Sequence, residues 1–325
     1  MSTNISFNYI ITIYNKEDLI GQVLENVIKC CGENSHIYPV LDGCTDNSEK
    51  IIDEIISKNS NIAITKVYEN NVHELLTINA GLKAANHEGE GYNIILQDDV
   101  VLGESHIESH IINIYSWASN LAYLSFRLGA DFKKNALDNN EIVPFDNYIE
   151  NAAGHGIPDA NMLPIGTFCY CDIPIKSPVC IPFHIIRKYI GFDERLAPYA
   201  HDDTELAIRL LKDGYQNGVF ALKFISDLEW GGTRQSPHPE IAKVQERNID
   251  YIREWHGAFL TELSKMKRNR KIYDIPKVTN FFDKEISDIL WNHNVNLLEN
   301  KKTFFRRIIK KIKNLISSKK GKIYN

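Results

Sequence analysis

The chain has none of the patterns that mark a metal-stapled, disulfide-built or membrane-spanning protein. Its six cysteines (Cys30, Cys31, Cys44, Cys169, Cys171 and Cys180) form no CxxC pair and have no companion histidines at zinc spacing. Cys169 and Cys171 form a CxC, which on an alternating stretch places both thiols on one face of a strand. No signal-peptide pattern opens the sequence, so the thiols are expected to be reduced and the protein cytoplasmic. No apolar run approaches the roughly 18 residues that a helical membrane span needs, so the expectation is a soluble or peripheral protein. Positive charge is not in excess either. The formal net charge is −5, which argues against a general nucleic-acid binder.

What is present is enough apolar material for a substantial core. The 325 residues are 43% hydrophobic and 24% charged, as one large domain or two smaller ones would be. The organising stretch is Tyr92 to Leu102, where Ile94-Ile95-Leu96 ends in Gln97-Asp98-Asp99. A run this short, preceded by Gly89 and Gly91, reads as a buried strand. Adjacent carboxylates at its end fit a divalent cation bridging nucleotide phosphates, although a pair of aspartates alone also fits an ordinary polar turn.

The first hundred residues alternate strand and helix four times. Tyr9 to Ile13 reads as the first strand, with Asn15 expected to cap a helix carrying Glu17 and Asp18 in its first turn. Leu19, Val23, Leu24, Val27 and Ile28 recur at helical spacing. His36 to Leu41 reads as a second strand ending at Asp42, Ile62 to Val67 as a third, and His73 to Asn86 as a helix before the Tyr92 strand. That alternation predicts a parallel, doubly wound α/β sheet, in which ligands bind at the carboxyl ends of the strands. Three polar clusters fall at those ends: Thr12/Tyr14/Asn15, Asp42, and Gln97-Asp98-Asp99.

These residues resemble the family 2 glycosyltransferases, whose nucleotide-sugar-binding fold is of the GT-A type, a Rossmann-like mostly parallel sheet flanked by helices. Thr12-Ile13-Tyr14-Asn15-Lys16-Glu17 matches the family's opening pattern. Asp42-Gly43-Cys44-Thr45-Asp46 matches its Asp-Gly-Ser-Thr-Asp stretch, and Asn79-Ala80-Gly81-Leu82 its Asn-x-Gly-Leu helix. Gln97-Asp98-Asp99 matches its metal-binding DxD, with Gln in the first place. By that resemblance Thr12, Tyr14 and Asp42 hold the base, commonly uracil, and Asp98 contacts the ribose side. Asn15, Asn79 and Gln97 complete the nucleotide site, and Asp99 ligates Mg²⁺ or Mn²⁺. Two positions depart from the pattern: Ile78 stands where many members carry Arg, and Gln97 supplies no carboxylate.

Further along, Arg127 to about Leu163 has weak periodicity and high polar content, and reads as long loops or a lid. His155, between glycines, is either a solvated loop histidine or a catalytic one. Gly191-Phe192-Asp193-Glu194 and Asp202-Asp203-Thr204-Glu205-Leu206 resemble the family's second signature. Asp202 and Glu205 have the spacing of a capping box, which leaves Asp203 as the first helical residue, pointing into the cleft. The resemblance makes Asp203 the catalytic base, with Asp202 as the alternative. The histidine that the family often carries after the next strand is replaced by Asp227-Leu228-Glu229-Trp230, where Glu229 is a substitute ligand and Trp230 packs on a sugar or on the core.

Pro237 and Pro239 mark a boundary, followed by helices predicted over Ile241 to Lys265 and Lys277 to Leu298. The expected organisation is a nucleotide-sugar-binding half (1–102), an acceptor-binding half of the same GT-A domain (103–235), a helical C-terminal extension (236–300) and a basic amphipathic tail (301–325). From Lys301 to Lys322 ten basic residues stand without an acidic one, with Phe304, Phe305, Ile308, Ile309, Ile312, Leu315 and Ile316 on one helical face. Such a helix suits an anionic membrane surface, on the inner face of the cell membrane. Docking on its own domain, a partner interface or nonspecific nucleic-acid contact are the other readings. The expected activity is inverting, metal-dependent transfer from a nucleotide sugar, taken as a UDP-sugar, to a glycan or lipid-linked saccharide of the cell surface. The rivals are an inactive nucleotide-sugar or glycan-binding module and a sugar nucleotidyltransferase. The latter class places a Gly-rich phosphate loop where this chain has Ile13-Tyr14-Asn15-Lys16-Glu17.

Overall fold

The structure, a computed structural model, describes residues 5–133, 145–152, 159–226, 239–266 and 270–275. Its first third runs β1 (Ser6–Ile13), α1 (Ile20–Cys30), β2 (Ser35–Asp42), α2 (Ser48–Lys58), β3 (Ala63–Ile64), β4 (Val67–Glu69), α3 (His73–Ala84) and β5 (Gly91–Gln97). Then come β6 (Val100–Leu102), α4 (Ile107–Trp117), β7 (Leu121–Ser125), β8 (Leu128–Phe132), β9 (Phe145–Asn151), β10 (Asn161–Leu163), β11 (Thr167–Cys171) and β12 (Ile173–Ile175). The rest is β13 (Val179–Pro182), α5 (Phe183–Tyr189), a 3₁₀ turn (Glu194–Leu196), α6 (Asp202–Lys212), β14 (Gln216–Phe220), β15 (Phe224–Ser226), α7 (Pro239–Lys265) and β16 (Ile272–Asp274).

A 10-stranded sheet in the order β16-β11-β14-β7-β13-β5-β1-β2-β3, with β4 also on β2, forms the centre. β1, β2 and β5 are parallel, in register from Phe7 opposite Ser35 and Tyr92. β13 runs antiparallel to both β5 and β7, so β7 points the same way as β5 and ends at the same edge. The two faces are covered separately. Ile20, Val23 and Leu24 of α1, Ile52 of α2 and Ile107, Ile111 and Ile114 of α4 fill one core. Leu75, Ile78 and Leu82 of α3, Ile185 of α5, Leu206 of α6 and Ile252 and Leu260 of α7 fill the other. Buried on both faces, the central strands are apolar throughout rather than alternating.

Four sequence expectations are corrected. The helix after β1 starts at Ile20, and Asn15 does not cap it: Asn15 takes a left-handed conformation (φ 46°) and its side-chain oxygen accepts the Thr45 N–H at 2.8 Å. The third strand divides at Lys66, whose ammonium turns out to Glu49 (2.8 Å) and Asp53 (2.7 Å) on α2. The stretch after Arg127 is largely strand where it is described, since β8, β9 and β10 join β12 in a second, four-stranded sheet, while residues 134–144 and 153–158 lie outside the described residues. Its polar side chains mislead because they are buried and bonded: Asn151 donates to the carbonyls of Phe126 and Leu222, each at 2.6 Å. The capping box at α6 does not form; the helix begins at Asp202, and Glu205 turns to Arg209 (2.7 Å) and His256 (3.1 Å) instead.

Chain beyond α6 returns to the body of the protein. The helix predicted from Ile241 is α7, Pro239–Lys265, and β16 closes the sheet edge against β11. Arg270 bonds Asp131 (2.9 Å) and Asp172 (3.3 Å). His155, Asp227, Glu229, Trp230, the helix predicted over Lys277 to Leu298 and the basic tail lie outside the described residues. Among the described residues no helix is long and apolar enough to cross a membrane.

Candidate active site

The carboxyl ends of β1, β2, β5 and β7 share one edge of the sheet. The loops after β1 and β2 are fastened to each other there. The Lys16 N–H donates to Ser48 Oγ (2.9 Å), the Glu17 N–H to Asp46 (2.9 Å), and the Asn47 main chain and amide to Glu17 (2.9 and 2.7 Å). They bound an open hollow of about 380 Å³ lined by Asn15, Lys16, Glu17, Asp18, Thr45 and Asp46. Tyr14 stands at the end of β1 with half of its surface exposed (51%).

Asp42, buried at the end of β2, accepts the N–H groups of Val72 (2.7 Å) and His73 (2.9 Å). It therefore anchors the start of α3, where backbone donors lack helical partners. Thr12 is buried, with its hydroxyl 3.5 Å from the Leu96 carbonyl. Asp98 accepts the Tyr14 N–H at 2.9 Å and lies 3.6 Å from the Lys16 ammonium. Burial pushes its carboxyl up to about 6, against the opposing pull of Lys16 and the Tyr14 N–H. Asp99 faces the buried Arg127, just past the end of β7, whose guanidinium also feels Glu150.

Asn79 is engaged with the protein's own main chain. Its amide donates to the Phe192 carbonyl (2.8 Å) and to Glu194 (3.3 Å), and its oxygen accepts the Phe192 N–H (3.0 Å). The side chain braces α3 to the segment that leads into α6, with its amide nitrogen and one lone pair of its oxygen engaged there. Its motif partner has an equally mechanical role. A Cβ on Gly81 would lie 2.4 Å from Ile10 and 2.8 Å from Val40, so glycine is what lets α3 lie close on β1 and β2. Ile78, where the resemblance expects arginine, is core.

From Gln97 a chain of polar contacts crosses to α6. The Gln97 amide donates to Glu74 Oε1 at 2.6 Å, and its N–H donates to Ser177 Oγ at 3.1 Å. Glu74 lies 3.5 Å from the Lys176 ammonium, which also pairs closely with Asp202. The Lys176 N–H reaches Asp203 Oδ2 at 3.4 Å, and Asp203 Oδ1 accepts the Thr204 N–H at 2.7 Å. Asp202 is fully buried, whereas Asp203 keeps 9% of its surface open. Burial first and Asp202 second push the Asp203 carboxyl up to about 6, while Lys176 and the two N–H groups pull it back. Burial works to lower the Lys176 pKa, but Asp202, Glu74 and Asp203 outweigh it and hold the ammonium charged.

The structure thus brings Thr12, Tyr14, Asn15, Asp42, Gln97, Asp98 and Asp99 to one edge, and ties Gln97 to Asp202 and Asp203. Sequence reasoning missed Glu74, Lys176 and Arg127. Arg127 was open to the same strand-end rule that singled out Asp42, since it directly follows the apolar strand β7 and Phe126. Lys176 and Glu74 carry no local signal, because their meeting depends on how α3 and the turn before β13 lie against each other.

The model of glycosyl transferase family 2 matches residues 9–149. Undecaprenyl-phosphate 4-deoxy-4-formamido-L-arabinose transferase of Proteus mirabilis is 32% identical over 79 residues, 23% of this chain and 24% of that protein. The chain therefore matches about a quarter of that curated relative's length. Residues 1–349 of S. aureus TarS, solved with UDP-GlcNAc, align with a TM-score of 0.52 at 15% identity, covering 76% of this chain and 66% of that one. A mannosyltransferase from Pyrobaculum calidifontis, solved with GDP-Man and Mn²⁺, aligns with a TM-score of 0.47 at 13% identity over 79% of this chain and 72% of its own. The mixed, largely parallel sheet has the GT-A architecture, and over residues 9–149 the chain is similar to glycosyl transferase family 2.

Proposed function

We propose that the protein is an inverting glycosyltransferase that moves a sugar from a nucleotide-sugar donor to a hydroxyl of a glycan or lipid-linked saccharide. The observation that carries this reading is the continuous polar path from the strand-end edge at Gln97 through Glu74 and Lys176 to Asp202 and Asp203. It joins a nucleotide-type edge to a carboxylate suited to proton transfer. A carboxyl near 6 is mostly ionised at neutral pH yet basic enough to accept a proton as it is released.

The hollow between the β1 and β2 loops takes the nucleoside, with Tyr14 exposed at the end of β1 and Asp42 at the end of β2. Lys16, beside Asp98, is a cation within the hollow for the diphosphate. The residues also fit Mg²⁺ or Mn²⁺, provided that the substrate supplies most of the ligands. Asp99, at the strand-end edge beside Arg127, is the carboxylate that would hold the ion. Among the described residues no three His, Cys, Asp or Glu side chains converge on a metal position, and ions of this kind are commonly bound by one or two carboxylates plus substrate phosphates. When bound, the ion supplies Lewis-acid stabilisation of charge on the departing diphosphate.

Asp203 takes the acceptor hydroxyl's proton onto a carboxylate oxygen. The acceptor oxygen bonds the anomeric carbon from the face opposite the leaving group, whose bonding electron pair departs with the nucleoside diphosphate. One displacement inverts the centre, and no side chain is glycosylated. Thermal unfolding with UDP, GDP and CDP, each with and without Mn²⁺, tests the donor site. Ligand at about a hundred times its dissociation constant adds roughly 2.7 kcal/mol, a shift of several degrees. One nucleotide is expected to stabilise the protein with metal, and Asp99→Ala to lose that metal-dependent gain. No shift with any nucleotide removes the reading.

A further inference from the structure

Four charged side chains from three parts of the fold meet beneath the α6 N-terminus. Asp202 and Asp203 open α6, Glu74 comes from the first turn of α3, and Lys176 from the turn before β13. The Lys176 side chain is 8% exposed and that of Asp202 1%, and the ammonium lies 5.5 Å above the Phe192 ring. Two other titratable groups face the cluster: the buried Tyr123 hydroxyl from β7, which feels Asp203, Asp202 and Glu74, and His201, which feels Asp202.

Three carboxylates around one largely buried ammonium leave an excess of negative charge, so where the lysine sits decides which of them it pairs with. Its ammonium is on Asp202 and Glu74, while only its main-chain N–H reaches Asp203. Gln97 belongs to the same count. It donates a neutral N–H to Glu74; an aspartate in its place would bring a fourth negative charge against Glu74.

We propose that Lys176 is the positioning residue for the base: its ammonium holds the Asp202 side chain, leaving Asp203 as the carboxylate that takes the acceptor's proton. Gln97 is the neutral residue that this arrangement requires at the first place of the acidic turn. The role assigned to Asp203 rests on the transferase reading above.

The test is a carboxyl ¹³C NMR titration of the full-length protein labelled with [4-¹³C]aspartate, in which the Asp203 signal is identified by its loss in Asp203→Asn. The wild-type midpoint is expected above the ordinary aspartate value, raised by burial and by Asp202. Lys176→Met removes the nearby cation, so the anion is disfavoured and the midpoint rises by about one unit or more, whereas Lys176→Arg holds it near the wild-type value. Removing one partner of a buried pair can unfold a protein, so the same change is also made in Asp202→Asn. There the partner charge is already gone, and Lys176→Met must again raise the Asp203 midpoint. An Asp203 midpoint that the lysine change leaves in place, in either background, overturns the proposal. Nucleotide stabilisation does not pass through Lys176. Its absence beside a lysine-dependent titration sinks the transferase reading alone, and an unmoved titration beside intact nucleotide binding sinks this one alone.

Discussion

Asn248 holds the loop that leads into Asp202 and Asp203. It is fully buried on α7. Its amide nitrogen faces the carbonyls of Leu196 (2.8 Å), Tyr199 (3.0 Å) and Ala200 (2.8 Å), and its oxygen accepts from Arg247 at 2.8 and 3.0 Å. The chain it holds contains two successive non-glycine residues in the left-handed region, Ala200 (φ 78°) and His201 (φ 63°), immediately before Asp202. Each costs about 1–2 kcal/mol on its own, so the loop keeps this path only while something holds it. Asn248→Ala removes two N–H donors and leaves buried carbonyls unanswered, at about 1–3 kcal/mol for each group stranded. The expected loss is roughly 2–4 kcal/mol, or about 3–6 °C in Tm for a chain of this length. Asn248→Asp has the same shape and keeps an acceptor for Arg247 but turns an anion on three carbonyls. It is therefore expected to lose more than alanine at pH 8 and to recover as pH falls and the carboxyl gains a proton to donate. Calorimetry across pH 5–8 reads both variants, and hydrogen exchange over 196–203 reads the loop directly. An aspartate variant as stable as alanine at pH 8, or an alanine variant within about 0.5 kcal/mol of wild type, refutes the latch.

Asn79→Ala separates bracing from ligand contact: it is expected to lower stability by about 1–3 kcal/mol through the Phe192 main chain while nucleotide affinity stays within about threefold, under 1 kcal/mol. A tenfold or larger loss of nucleotide affinity in a stably folded variant would return Asn79 to the binding site. Deleting residues 301–325 is expected to abolish sedimentation with anionic vesicles, which in the intact chain weakens as salt rises. Unchanged partition after deletion removes the membrane role from the tail.

The fold was legible where burial is two-sided and the chain punctuates itself. β1, β2 and β5 are apolar runs that stop at polar residues, and α1 and α2 carry their buried isoleucines, leucines and valines at helical spacing. Reading failed where polar residues are interior. Asn151 and Asp131 sit in β9 and β8 and look like loop by composition. Yet Asn151 is bonded to the main chains of Phe126 and Leu222, and Asp131 to Arg270, more than a hundred positions away in sequence. No local pattern records a partner that distant. The capping box failed for the same reason. Glu205 has the right spacing from Asp202, but Arg209 on its own helix and His256 on α7 offer it charge-bearing partners, and the helix starts without a side-chain cap.

Resemblance located the site's positions better than it assigned their work. Asp42 and Asn79 both fall in matched motifs, and both are engaged with the main chain: Asp42 at Val72 and His73, Asn79 at Phe192. Asp42 nevertheless remains at the strand-end edge, and a carboxylate that accepts two N–H groups still has lone pairs to offer; Asn79 has its amide nitrogen engaged by Phe192 and Glu194 and serves first as a brace between α3 and the segment before α6. The substitution at position 97 reads differently in the folded chain as well. Taken alone, Gln97 is a lost carboxylate and a weakened metal site. Beside Glu74, Lys176, Asp202 and Asp203 it is the one uncharged member of a crowded acidic cluster and donates where an aspartate would repel. A departure from a motif can thus be the residue that keeps the rest of the motif ionised as its chemistry requires, and here that is decided by Glu74 and Lys176, two side chains that no motif names.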